Sequence, residues 1–345
     1  MEYYSIYKIK SLIYYIYMQL VKYIIIFILF IGISAIYKKI KQDENTRTNG
    51  YYYNMIEKYL LNKDNLGSTY KPILWVYLQN DNTITPSVNS RFWINFGSRL
   101  TTNFNQPYQK LTIQSIIDKC GMDFNICLID DSAFNVLLPE WDLKINKVAQ
   151  PMKNRIQLIA ITALLNAYGG MFIPSSFVCF KSLRPIYDMA IETDKITVGQ
   201  LQNRASNEKL PHNVAAHPIF MACAPGNPTM QSLNNHISLL NKRDFTSEMD
   251  FLGLINLWLE DNIKQNNILS ISGCQLGIQR PNLSLIYAEE LVGSTIIKLD
   301  PNAYGLYIPW DQLINRLNLQ WFVRLSPEQV LESNTMIGNC IRNNI

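Results

Sequence analysis

Charge is scarce in this chain: only 17% of its 345 residues are Asp, Glu, Lys or Arg. Histidine occurs three times, as His212, His217 and His236. That number and spacing make no metal-binding array, and surface or core placement is the ordinary fate of each ring. The six cysteines, Cys120, Cys127, Cys179, Cys223, Cys274 and Cys340, contain no Cys-x-x-Cys pair. A zinc ribbon and a disulfide framework are therefore not indicated, and buried thiols are the plain reading. Cys120 and Cys127 flank a Gly-containing turn, so a bridge between them stays open until geometry is known. No Gly-x-Ser-x-Gly elbow occurs, which leaves an α/β-hydrolase mechanism without its nucleophile. No internal repeat is present either, and the frequent Asn and Ile read as compositional bias.

An excess of one sign of charge is missing from most of the chain. Residues 1–47 carry seven Lys/Arg against three acids, and the remainder carries twenty-four of each, so the formal +4 lies at the N-terminus. A nucleic-acid reader shows a basic footprint on its folded domain. None is expected here, and nucleic acid is set aside as a partner, while a membrane is retained.

One long apolar run is present. Ser11 to Tyr37 holds a single charge, Lys22, over twenty-seven residues, more than the ~20 needed to cross the hydrocarbon core. The expected organisation is a flank at 1–10, one transmembrane helix at 11–37, an Asn-rich stem at 38–70 with a short helix at Tyr51–Leu61, and an α/β domain at 71–345. A single-pass membrane protein follows, with the side of its domain undecided. Lys38, Lys39, Lys41 and Arg47 after the run outnumber Lys8 and Lys10 before it, which leans toward a cytoplasmic domain. The sequon Asn282-Leu283-Ser284 matters only on the other side.

With 48% apolar residues, the remainder can bury one sizeable core. Strand-length apolar runs at Ile73–Leu78, Asn125–Ile129, Met171–Ile173, Ile196–Val198, Ile219–Cys223 and Ile268–Ile271 alternate with helical periodicity at Pro107–Lys119, Pro151–Tyr168, Pro228–Asn241 and Ser247–Glu260. The capping box Ser326-Pro327-Glu328-Gln329 predicts a last helix reaching about Asn339. Such alternation predicts a mostly parallel sheet with helices on its faces and a ligand at the carboxyl ends of its strands.

Chemistry-bearing residues are few. Leu165 to Ile173 ends a helix in Gly169-Gly170 and passes directly into a strand, which permits positive φ and close backbone approach; a helix C-cap is the alternative. Asp130 and Asp131 end a strand and either accept hydrogen bonds from a ligand, hold a displaced metal, or cap the next helix. Asp250 is either a late catalytic acid or a capping residue. Trp93, Trp310 and Trp321 are aromatic faces for sugar rings or for the core.

Four stretches in order, Trp75-Val76-Tyr77, Phe124 to Asp131, Tyr168-Gly169-Gly170 and His217 to Pro228, resemble glycosyltransferase family 32 and capsular polysaccharide synthesis proteins. The resemblance spans about residues 72–240. It implies a GT-A-like fold and sugar transfer from a nucleotide-sugar to a glycan or protein acceptor. It also implies donor contacts at Trp75, Tyr77, Asp130, Asp131, Tyr168, Gly169, Gly170, Ser175 and Ser176, with the pyrophosphate over Tyr168–Gly170 and Pro174–Ser176. The family's Asp-x-Asp falls on Pro174-Ser175-Ser176, and its preceding acid and arginine fall on Gln157 and Ile161, with Arg155 two residues out of place. Mn²⁺ and Mg²⁺ require carboxylate oxygens, so no metal ligand is assigned unless a relocated site exists. Two functions follow: a transferase using other groups, or a catalytically inactive binding or structural module on the same fold. The lumenal domain usual for anchored glycosyltransferases conflicts with the lysine count.

Overall fold

A computed structural model describes residues 60, 71–78, 106–138, 141–205, 208–211, 213–245 and 247–344. The run at 11–37, the stem helix at 51–61 apart from Leu60, Trp93 and His212 lie outside the described residues. Among the described residues no helix is long and apolar enough to cross a membrane.

The chain runs β1 (Ile73–Tyr77), α1 (Gln109–Cys120), β2 (Asn125–Ile129), α2 (Phe134–Leu137), α3 (Met152–Tyr168), β3 (Gly170–Pro174), β4 (Phe177–Cys179), α4 (Arg184–Thr193), β5 (Ile196–Gln202) and β6 (Val214–Cys223). It continues with α5 (Pro228–Leu240), α6 (Glu248–Lys264), β7 (Ile268–Ile271), α7 (Ala288–Val292), β8 (Gly305–Tyr307), α8 (Trp310–Asn315), α9 (Gln320–Val323), α10 (Pro327–Glu332) and α11 (Met336–Arg342).

Six strands form one sheet in the order β2-β1-β3-β6-β5-β7. β1 runs parallel to β2 and β3, and β5 parallel to β7, while β6 alone is antiparallel to its neighbours. The protein is therefore α/β with a mostly parallel central sheet. Side chains alternate across a strand. Leu74 and Val76 point into a core shared with Ile113 and Ile116 of α1 and Ile186 and Ala190 of α4. Trp75 and Tyr77 point the other way, where Trp75 meets Tyr168 of α3 edge-on at 5.7 Å.

β6 departs from regular pairing. Val198 pairs with Met221, but the next residue, Gly199, pairs with His217, so Pro218, Ile219 and Phe220 bulge with no partner across β5. Proline inside a sheet belongs at such a bulge because it cannot donate to the ladder. Phe220 turns into the core, 5.0 Å from Phe177 and 6.1 Å from Tyr307. A Cβ on Gly199 would lie 2.8 Å from that of Phe220, so the bulge needs glycine opposite it.

β4 and β8 form a separate antiparallel pair, unforeseen in the sequence, and the segment after β8 folds over α1 and β4 around Leu306, Leu313, Phe322 and Ile337. The predicted last helix is two. The capping box holds, with the Ser326 and Gln329 side chains and amides bonding reciprocally at 2.8 and 3.1 Å, but α10 stops at Glu332. Thr335 then caps α11 through the Gly338 amide, 3.0 Å away. A second N-cap interrupts the run where one periodicity was expected to continue.

Candidate functional site: a cleft at the carboxyl ends of β1 and β3

A cleft of about 520 Å³ opens where β1 and β3 end. Its walls are α3 on one side, α6 and the β6 bulge on another, and the chain around β8 and α8 on the third, bringing residues as far apart as Tyr77 and Asn315 together. Ligands in open α/β sheets bind at this edge.

Tyr77 lines the cleft, and its hydroxyl donates to Asp131 Oδ1. Asp131 is buried and also accepts from Gln157 Nε2 at 2.8 Å, while Lys153 Nζ lies 2.9 Å from its other oxygen. Lys153 and Gln157 stand one helical turn apart on α3, so one face of the helix reaches the same carboxylate. Burial, followed by the Asp131 charge, raises the Tyr77 phenol well above its ordinary range, and it serves as a neutral donor.

Asp130 behaves differently. Its Oδ1 accepts from the Ser132 amide (2.9 Å), the Ser132 hydroxyl (2.6 Å) and the Ala133 amide (3.1 Å), capping the turn into α2. Of the two acids, then, one caps and the other is held by three partners behind the cleft wall. Both oxygens of Asp131 are engaged, while the three bonds to Asp130 all fall on Oδ1.

The β3–β4 turn occupies the position where the resemblance implies a metal. Ser175 lines the cleft, yet its hydroxyl donates to Gln109 Oε1 of α1 at 3.1 Å and its carbonyl accepts from Thr112. Ser176 is buried, and its hydroxyl has no hydrogen-bond partner. Among the described residues no group of three His, Cys, Asp or Glu could hold a metal ion. Two neutral hydroxyls, one engaged and one enclosed, do not fit a divalent cation.

Of the remaining sequence candidates, Trp310 lines the cleft, and the following lie away from it. Gly169 (φ 65°) and Gly170 (φ 97°) sit at the opposite, amino end of β3. A Cβ on Gly169 would come 2.6 Å from Pro225, and one on Gly170 would come 2.3 Å from the Ile73 carbonyl oxygen. The pair permits the approach of β1 and the Pro225 turn. Trp75 is fully buried and donates to the Gly169 carbonyl at 2.9 Å; Tyr168 donates to Leu137 O at 2.6 Å. Asp250 is exposed in the first turn of α6, its amide donating to the Ser247 cap, where a carboxylate suits the helix dipole. Glu248 lines the cleft instead, 3.0 Å from Arg155, whose guanidinium lies over Phe251 at 4.7 Å and Phe245 at 5.2 Å.

On the far wall the sequence pointed to Trp310 but not to the charged pair beside it. Arg204 and Asp311 form an ion pair there beside His217, Gln312 and Trp310. Burial, with help from the Arg204 charge, pushes His217 down to about 4, so the ring is neutral near pH 7. The signal for this wall was Pro218, which marks a bulge within a strand. The thiols are all free and buried, and the partner of Cys120 is Cys179, with sulfurs 3.7 Å apart, rather than Cys127. Cys127 lies on β2, beyond the Gly121 turn, with its side chain buried in the sheet.

No protein-family model matches the chain, and no curated protein does. Among the solved structures similar to it in part are the following two. One, titled "PaToxG Glycosyltransferase", gives a TM-score of 0.29 at 13% identity over 64% of this chain and 80% of that one. The other, an active-site mutant of LgtC, gives 0.30 at 11% identity over 72% and 93%.

Proposed function

We propose that this chain is a glycosyltransferase-fold protein whose cleft takes a nucleotide-sugar without a divalent cation. The observation that carries the reading is the composition of the cleft at the carboxyl ends of β1 and β3. Its edge of the sheet is the ligand edge, and β3 ends there in Pro174-Ser175-Ser176 with no carboxylate. Neutral hydrogen-bonding groups, Tyr77, Asn154, Gln157, Gln202, Gln312 and Asn315, face the space. Such groups suit ribose and sugar hydroxyls. The order of the four motifs from Trp75 to Pro228 supports the same class of ligand, and an anchor at 11–37 would hold the domain at a membrane.

A second reading, a binding module without catalysis, is favoured by a separate observation. The carboxylates at or behind the cleft, Asp131, Glu248 and Asp311, are each ion-paired, to Lys153, Arg155 and Arg204. A general base needs a free lone pair within reach of the acceptor hydroxyl.

Calorimetric titration of the full chain with a panel of nucleotide-sugars, with Mn²⁺ and with chelator, tests both. Binding that survives chelation is the expected result. Mn²⁺-dependent turnover that Asp131→Asn abolishes would overturn the cation-free reading, and absence of binding by every donor would overturn the ligand class. Cation-free turnover would reject the non-catalytic module.

A further inference from the structure

One face of α1 grips the β3–β4 connection at successive turns. Gln109 accepts from the Ser175 hydroxyl at 3.1 Å, Thr112 donates to the Ser175 carbonyl, and Ser115 accepts from the Cys179 amide at 2.9 Å. At the end of the same face, Cys120 Sγ lies 3.7 Å from Cys179 Sγ. Both residues are fully buried, and no other two thiols hydrogen-bond among the described residues. The pairing crosses fifty-nine positions of sequence, so only the fold makes it.

We propose that Cys120 and Cys179 are a thiol–disulfide exchange site that takes a small-molecule disulfide such as oxidised glutathione and stores the product as an intramolecular bridge between α1 and β4. The sulfurs must close from 3.7 Å to about 2.05 Å, an approach that side-chain rotation and a small shift of the helix end supply. Access comes from the helix terminus. Cys120 is the last residue of α1 and is followed by Gly121 and by Met122, which is 75% exposed. Helix ends open locally far more often than the core does.

The chemistry balances with one co-reactant. The Cys120 thiolate attacks one sulfur of glutathione disulfide, forming a mixed disulfide and releasing glutathione thiolate, which takes up the proton Cys120 lost. Cys179 then gives up its proton and attacks the Cys120 sulfur, and the second glutathione leaves. Two protein thiols become one disulfide, and one glutathione disulfide becomes two thiols. The hydrogen bond shared with Cys179 holds the Cys120 thiol below its ordinary value and so favours it as the attacking group. Burial pushes the competing Cys223 and Cys340 thiols up, to about 12 and about 11, and Cys127 up as well.

The test uses the unaltered 345-residue chain. It is incubated under native conditions with oxidised glutathione, quenched with an alkylating agent, unfolded, and mapped without reductant. Alkylatable thiols should fall from six to four, a peptide joining Cys120 to Cys179 should appear, and dithiothreitol should reverse both. The bridged form should also unfold at a higher temperature, since the bond constrains the unfolded chain. In Cys179→Ser no intramolecular bridge should form. Retention of all six thiols, a mixed disulfide that never resolves, or a bridge between other cysteines would overturn the proposal.

Discussion

Tyr77, the last residue of β1, donates its hydroxyl hydrogen bond to Asp131, two residues beyond the end of β2. The contact ties two parallel strands together at the cleft edge, and Lys153 and Gln157 of α3 complete it. Removing one member of a buried charged network leaves the others desolvated, at a cost of roughly 3–5 kcal/mol. Asp131→Ala should therefore lower the urea midpoint far more than Asp130→Ala, whose capping bonds are worth about 1 kcal/mol. Equal midpoints for the two variants would sink the assignment of different roles to adjacent acids.

His217 sets a pH dependence with a definite sign. Its folded value of about 4 lies below the unfolded value of about 6.5. Between them the unfolded chain binds a proton that the folded chain refuses, so stability present above pH ~6.5 is lost as pH falls toward 4. His236 is also lowered, mainly by burial, and adds in the same direction. Thermal melts of the parent and of His217→Gln across this window should diverge, the variant losing less on acidification. Parallel curves would show that His217 does not stay neutral in the fold.

Gly170 and Ser175 stand at opposite ends of β3, and substitutions there should separate packing from binding. Gly170→Ala puts a methyl 2.3 Å from the Ile73 carbonyl oxygen at φ 97°, which should cost more than 2–3 kcal/mol on the order of strained backbone plus steric shift. Ser175→Ala loses one bond to Gln109, about 1 kcal/mol. Soluble yield and melting temperature would rank them, and a Gly170→Ala protein as stable as Ser175→Ala is the contrary outcome.

Rebuilding an acidic pair at the end of β3 should fail on one side only. Ser176 is 1% exposed with no partner for its hydroxyl, so Ser176→Asp buries a carboxylate with nothing to receive it and should destabilise by several kcal/mol, or titrate to the neutral acid. Pro174 is buried as well but borders the cleft, so a carboxylate at Pro174→Asp has that space beside it and should cost less than Ser176→Asp. Circular-dichroism melts at pH 5 and pH 8 would detect both, Ser176→Asp being weaker at the higher pH. A Ser176→Asp protein with an unchanged melt and Mn²⁺ affinity would contradict the enclosed position of this residue.

What the sequence by itself determined is the set of elements whose signals are local. β2 at Asn125–Ile129 and β7 at Ile268–Ile271 coincide with their apolar runs, and α3 ends at Tyr168 because glycine follows. α5 starts at Pro228, where Asn227 accepts from two helix amides. Each of these depends on residues a few positions apart. The tertiary structure alone decided the rest. That Asp130 caps while Asp131 pairs with Lys153 is settled by where α3 crosses the ends of β1 and β2. Glu248, and not Asp250, faces the cleft because helix rotation is set by the burial of Phe251 and Ile255. The β4–β8 pair joins segments more than a hundred residues apart, and the chain after it brings Asp311 to Arg204 in the cleft's far wall. Burial and charge pairing act through space between groups distant in the chain, so neither leaves a periodicity for sequence to display.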